Sequence, residues 1–305
     1  MTAHNTCNDS IAIIGLGKVG TAMGFLLRSA GYQIVAVAGR SEQSLQRNLH
    51  YTGGQVFTSF PDAAITADCI FITTSDDAIT EVCNELSAKN ALNPGKKVIH
   101  MSGACGLDPL ESARQKGAHI ASIHPMQSFP DIENAIKNIP GSTFGITAVD
   151  DIKDWCIKMV EDIGGTPFLV SETDKPLYHA AACMASNYLV TLMHMVLETY
   201  RSMGLNHDEA IKACWPLVTA TLNNIETKGA VRALTGPIAR GDAGTIRKHL
   251  LALQGNLKEF LPTYCSLGLL TANLGILKKT LSVDSAQTIK ALLEGGAVNG
   301  KAKNN

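Results

Sequence analysis

Three polar constellations interrupt an otherwise apolar chain, and each carries residue types that can act on a small carbonyl or carboxylate compound. The first is Lys175-x-x-x-His179 at the start of a long helical run. Residues four apart share a helix face. At about 100° per residue Ala182 and Ser186 fall on that face too, while Asn187, a candidate substrate contact, lies round its flank. A lysine beside small residues suits a cleft. Lys175 can give a proton to a developing alkoxide or hold a carboxylate, and its charge disfavours a charged His179. The alternative is a helix-start lysine reaching solvent. The second constellation joins Ser102-Gly103 with His124-Pro-Met-Gln127-Ser-Phe, each segment following an apolar strand. An imidazole of ordinary pKa near neutrality makes His124 a candidate proton donor, with Gln127 a candidate substrate contact; the alternative is a histidine that orders its own loop. The third is Leu234-Thr-Gly-Pro-Ile-Ala-Arg240-Gly-Asp242, where Arg240 could hold a carboxylate bidentately and Asp242 caps the helix carrying His249. The other histidines, His100 among them, join no constellation.

The elements that must position these groups begin with Ile11–Arg40. An apolar strand stops at Gly15-Leu16-Gly17-Lys18-Val19-Gly20, a helical run follows, and Ile34-Val-Ala-Val-Ala forms a second strand. This is the G-x-G-x-x-G fingerprint in the strand–turn–helix–strand context that dinucleotide binding requires. Gly15 permits the turn, Gly17 admits a pyrophosphate close to the backbone, and Gly20 lets the helix pack on the sheet. The helix N-terminus supplies free N–H groups for the anion. The second strand ends Ala38-Gly39-Arg40-Ser41, with no acid before Glu42. Arginine plus a hydroxyl suits a ribose 2′-phosphate, so the pattern predicts NADP(H). The alternative is a solvated arginine with Glu42 on the ribose. Lys18 reads as an exposed loop cation. The strand Asp68–Thr74 should place Thr73 and Thr74 beside the fingerprint, and Ser102 should face the nicotinamide end. Asp76 or Asp77 reads as a helix cap.

Further strands at Gln55–Thr58, Lys97–Met101, Ala118–Ile123, Thr143–Thr147 and Thr166–Val170 alternate with helices. They predict an α/β, Rossmann-type, mostly parallel sheet over residues 1–170. From 171 to 305 no strand is evident. Apolar-periodic runs at Lys175–Gly204, His207–Thr227, Asp242–Leu261 and Ala286–Leu293 predict an all-α second domain, with Gly204 ending a helix and Asp208 capping one. These helices are too apolar for so small a domain, which predicts a homodimer through them.

Composition limits the function classes. The chain has 305 residues, 45% hydrophobic and 17% charged, with net charge −1, so nothing favours nucleic acid or an anionic membrane. Eight scattered cysteines without a C-x-x-C pair read as reduced thiols in a cytosol, and no metal-ligand spacing occurs. Cys105 and Cys183, near the constellations, read as packed residues. Met1–Ser10 lacks the apolar core of a signal peptide, and the apolar stretch Tyr188–Leu197 contains His194 and is shorter than a membrane span. The polar leader and the tail Asn299–Asn305 are expected to be loose.

Taken in order, G-x-G-x-x-G, S-G-A, HPMQSF, K-x-x-YHAAA-x-x-ASN and LTGPIARGD resemble the two-domain proteins that pair a Rossmann-like NADP-binding domain with a helical domain catalogued as DUF2520. That group is similar to ketopantoate reductase, 6-phosphogluconate and β-hydroxyacid dehydrogenases, pyrroline-5-carboxylate reductase and prephenate dehydrogenase. The resemblance implies an NADPH-dependent reductase of a small 2-oxo acid, ketopantoate foremost. The alternatives are an NADPH-binding regulator without turnover, since the fingerprint alone supports binding and not chemistry, and an enzyme whose substrate is an imine or a cyclohexadienyl acid. The larger group's catalytic K-x-x-x-N becomes Lys175-x-x-x-His179, with Asn187 the remaining amide.

Overall fold

A computed structural model describes residues 9–301. Leader residues 1–8 and tail residues 302–305 lie outside the described part, whereas Asn299–Lys301 continue the last helix. Eight strands form one sheet: β1 Ser10–Ile14, β2 Gln33–Ala38, β3 Gln55–Phe57, β4 Cys69–Ile72, β5 Lys97–His100, β6 His119–Pro125, β7 Thr143–Ala148 and β8 Thr166–Leu169. Their spatial order is β3-β2-β1-β4-β5-β6-β7-β8, parallel except where β6 meets β7. The α/β, mostly parallel reading therefore holds. β1, β4 and β5 are buried along almost their whole length because helices cover both faces, and such strands read as continuous apolar runs.

The helices on the sheet are α1 Lys18–Ser29, α2 Glu42–Thr52, α3 Phe60–Ile65, α4 Asp76–Ala88, α5 Glu111–Gln115, α6 Ile132–Asn138 and α7 Asp150–Asp162. Two apolar clusters result, one beneath α1, α6 and α7 around Phe71 and Phe144, the other beneath α3 and α4 around Ile70 and Leu86. The first unit runs on to Tyr188 and so includes α8, Lys175–Cys183. A single π turn, Met184–Tyr188, follows α8.

The second unit begins with α9 Leu189–Ser202 and is entirely helical: α10 His207–Lys228, α11 Ala230–Ala233, α12 Ala243–Asn256, α13 Leu261–Leu277 and α14 Val283–Lys301. Its core joins Ile246, Leu261, Cys265, Ala272, Ile289 and Leu293. Gly204 ends α9 at φ +92°, and Asp242 caps α12 by accepting the Thr245 N–H at 2.9 Å. The expected Asp208 cap is instead Asn206, whose side chain and Glu209 exchange hydrogen bonds in a capping box. Helix α13 carries no sequence-based expectation because it is apolar on every side, so no stripe marks it.

The membrane expectation needs correction in one respect. The continuous helical runs Lys175–Ser202 and Lys258–Leu277, mean hydropathy 1.4 each, are long and apolar enough to cross a membrane by length and composition. The stretch Tyr188–Leu197 is part of a longer run because the π turn joins α8 to α9 without a break.

Candidate active site

The site is assembled at the carboxyl ends of β1, β4, β5 and β6. At β1, Gly15 holds φ +100° against the Thr73–Thr74 backbone, a conformation that glycine adopts without strain. A Cβ on Gly20 would collide with the Gly15 carbonyl and the Thr73 hydroxyl, which itself donates to the Ile14 carbonyl at 3.2 Å. Gly17 has open space where a Cβ would stand. It is the N-cap of α1 and offers no side chain to the free N–H groups of the first turn, which contains no acid. A cleft of about 340 Å³ opens here, lined by Gly15, Leu16, Gly17, Arg40, Thr73 and Thr74 among others. Arg40 and Ser41 are exposed at its margin, and Ser41 caps α2 by accepting the Ser44 N–H at 3.3 Å. Lys18 is exposed and Val19 half-buried. An uncapped helix start, a glycine facing empty space and a cation at the end of β2 fit a phosphorylated dinucleotide.

A chain of hydrogen bonds leads from this cleft to the second constellation. Asp76 opens α4, but the N-cap is Ser75; the Asp76 carboxylate accepts the Ser102 hydroxyl at 2.7 Å instead of capping. The Ser102 oxygen also accepts the N–H groups of Ala104 and Cys105 at 3.2 and 3.1 Å. This hydroxyl, expected to face the nicotinamide, is thus engaged in shaping the Ser102–Cys105 turn. His100, assigned to no constellation in the sequence, belongs to this one. Its Nε2 donates to the Gly106 carbonyl at 2.7 Å and its Nδ1 accepts the Ser102 N–H at 3.1 Å, and burial pushes its pKa down to about 4.

Lys175 lies at the centre. It is fully buried at the first turn of α8. Its Nζ donates to the Ser122 hydroxyl at 2.7 Å and to the Ser102 carbonyl at 3.2 Å. Among the described residues no carboxylate pairs with it. Burial disfavours the ammonium form and lowers its pKa to about 8, with Cys105 and Asp76 opposing the shift. Ser122 was not anticipated; a serine flanked by buried residues in β6 was its only signal.

The His124 expectation changes sign. Burial, then the charges of Lys175 and His179, push its pKa down to about 3, so at neutral pH it is an uncharged imidazole and no reservoir of protons. Its Nδ1 lies 3.0 Å from the Tyr178 hydroxyl. Tyr178 stands in the quoted K-x-x-Y motif without an assigned role, and Gly145, opposite His124 in β7, makes room for its ring. His179 shares the lysine's face as predicted. A Cβ on Gly103 would collide with His179 Nδ1 and lie 2.7 Å from His124 Nε2, so two imidazoles close over that glycine. His179 Nδ1 is buried without a partner, and its Nε2 meets the Cys183 thiol at 3.6 Å.

The candidate substrate contacts are distributed unevenly. Gln127 is exposed, with its amide turned to Ser142 at 3.2 Å and to the Ser128 N–H at 2.9 Å in its own loop. Asn187 is exposed and sits in the π turn, where the uniform α-helical spacing assumed from sequence does not apply. Arg240 is exposed in a short 3₁₀ turn of the second unit.

Comparisons with known proteins agree with this architecture. The model of a Rossmann-like domain matches residues 3–125, and the model described as a domain of unknown function, DUF2520, matches residues 142–271. The chain has a Rossmann-like plus DUF2520 two-domain architecture. In this Rossmann-like plus DUF2520 chain the helical-domain model starts within the sheet and takes in β7, β8 and α8, so both models contribute to the site. A Bacteroides fragilis structure described as a candidate NADP oxidoreductase is 19% identical, with TM-score 0.69 over 89% of this chain and 98% of that one. A Thermotoga maritima protein is 24% identical, TM-score 0.68, over 87% and 99%. Pyrroline carboxylate reductase from Plasmodium falciparum, solved with NADP bound, is 15% identical, TM-score 0.57, over 96% and 99%. At these identities the likeness is one of fold. No curated protein matches the sequence.

Proposed function

We propose that this protein is an NADPH-dependent oxidoreductase that reduces a small 2-oxo acid, ketopantoate to pantoate foremost. The observation that carries the reading is Lys175, a fully buried lysine with its pKa brought to about 8, joined through Ser102 and Asp76 to the rim of the fingerprint cleft. A group poised near neutrality is matched to proton transfer. The pyrophosphate would rest on Gly15–Gly20, with Arg40 and Ser41 toward the 2′-phosphate and Thr73 and Thr74 along the cleft wall. When bound, the nicotinamide supplies the hydride. Lys175 donates the proton to the carbonyl oxygen as it becomes an alkoxide, and Ser122 holds the ammonium in place. His179 lies one turn further along the same face of α8, and Asn187 and Arg240 are kept as proposed substrate contacts on their residue types alone. Lysine burial without a carboxylate costs stability, which supports a catalyst over a passive NADPH sensor.

Absorbance at the reduced-nicotinamide band tests this, with ketopantoate as substrate and NADH alongside NADPH. Oxidation of NADPH in preference to NADH is expected. NADPH binding without oxidation by any 2-oxo acid would overturn the substrate class. The fold shared with a pyrroline carboxylate reductase favours one second reading, a cyclic imine acid, and pyrroline-5-carboxylate belongs in the same assay.

We also propose a homodimer through the helical unit and a cytosolic setting. Leu217 and Leu270 are 70% and 65% exposed, and such apolar helix faces need cover. Light scattering should return twice the 32.4 kDa chain mass; a single-chain mass at micromolar concentration would overturn the dimer.

A further inference from the structure

Tyr178 has no part in the reaction proposed above, yet the fold makes unusual provision for it. Gly145 in β7 is spaced so that a Cβ there would come within 2.5 Å of the Tyr178 ring and hydroxyl. The phenol is thereby seated against the sheet, its oxygen 3.0 Å from His124 Nδ1. The ring of His124 meets Tyr178 and His179 edge to face, both at 5.7 Å between centroids.

The hydrogen-bond inventory orders the protons. The closest polar neighbour of the Tyr178 hydroxyl is His124 Nδ1, at 3.0 Å. The remaining neighbour that can accept the phenol proton, besides Nδ1, is the His124 carbonyl at 3.5 Å, which is beyond a sound O–H···O bond. Nδ1 is thus the better-placed acceptor for the phenol proton, and donation to it puts the proton of a neutral ring on Nε2. Among the described residues Nε2 has no hydrogen-bond partner, and it lies at the space above Gly103 on which His179 Nδ1 also converges.

We propose that Tyr178 is a positioning residue that locks His124 in its Nε2–H tautomer, so that a neutral imidazole presents a hydrogen-bond donor to the substrate oxygen above Gly103. An uncharged donor stabilises negative charge as it develops on that oxygen and leaves the proton itself to Lys175. Gly103 is the platform: a side chain there would occupy the space the oxygen needs. The proposal rests on the reductase reading for the identity of the bound oxygen, but its tautomer element does not.

Long-range proton–nitrogen correlation spectra of histidine-labelled protein test it, with His124→Asn used to assign the ring. The wild type should show a single Nε2–H pattern for His124 from pH 5 to 8. Tyr178→Phe keeps the ring against Gly145 and removes only the hydroxyl; it should abolish the single tautomer. An Nδ1–H or charged ring in the wild type, or an unchanged ring in Tyr178→Phe, overturns the proposal. Oxamate, a 2-oxo acid mimic, added at millimolar concentration with NADP⁺ should move the His124 Nε2 resonance; no movement overturns the donor role. With a turned-over 2-oxo acid, Tyr178→Phe should lower kcat at least tenfold while the KM for NADPH and the alkaline limb set by Lys175 stay in place. If no 2-oxo acid is reduced, the reductase reading fails on its own, and the spectra still decide the tautomer.

Discussion

Lys175 donates to the Ser122 hydroxyl across 2.7 Å from a site that solvent does not reach. Serine holds the ammonium in line without neutralising it, where a carboxylate would raise the lysine's pKa and spoil it as an acid near pH 7.

This pairing predicts a pH dependence. Reduction needs the protonated amine, so kcat/KM should fall above about pH 8 as one proton is lost. Lys175→Met should lower kcat by about 10²–10⁴-fold.

Stability should move the other way. The folded pKa of about 8 lies below the ordinary 10.5 of lysine. Below pH 8 both states are protonated and the full burial cost is present. Between pH 8 and 10.5 the unfolded chain binds the extra proton, so stability rises with pH. Lys175→Met should therefore be more stable than wild type at pH 7, by up to about 3 kcal/mol, with the gap closing toward pH 10.5. Denaturant unfolding across this range checks the sign; a gap independent of pH would refute the linkage.

Ser122→Ala removes the shorter of the two acceptors of Lys175. The ammonium form loses support, so the alkaline limb should move to lower pH and stability at pH 7 should drop by about 1–3 kcal/mol. Rate profiles and urea melts measure the two effects separately.

The fingerprint glycines should separate binding from folding. Gly17 has a negative φ and open space around it, so Gly17→Ala should leave Tm unchanged while NADPH affinity drops at least tenfold. Gly20→Ala forces a methyl into the Gly15 carbonyl and Thr73, so it should lower both. Thermal melts with and without NADPH distinguish them.

Arg40 is exposed at the cleft margin and should act on the 2′-phosphate alone. Arg40→Ala is expected to weaken NADPH binding by about tenfold or more, the worth of a charge-assisted contact, and to leave NADH binding as it was. Calorimetry with both nucleotides reads the contrast.

Much of this was legible in the linear chain, for a physical reason. Strand burial on both faces demands unbroken apolar runs, and the pyrophosphate turn demands glycines at set intervals, so β1, β2, β4 and the Gly15–Gly20 loop announce themselves locally. Lys175 and His179 were legible because four residues make roughly one helical turn.

What local spacing does not carry is burial and partner identity. His124 looks like an ordinary titrating histidine until the sheet, Lys175 and His179 surround it and push its pKa to about 3. Ser122, Tyr178 and His100 acquire their roles only when β5, β6, β7 and α8 meet, because their partners lie on other elements. Asn187 shows the same limit within a single helix: it falls in a π turn, where the ideal α-helical spacing read from sequence no longer fixes its face. By itself the sequence determined the αβ frame, the nucleotide loop and which helix bears the lysine, all consequences of backbone conformation and periodic burial. The tertiary structure alone decided which of these groups holds a proton at neutral pH, because desolvation and hydrogen-bond partners come from residues distant in the chain.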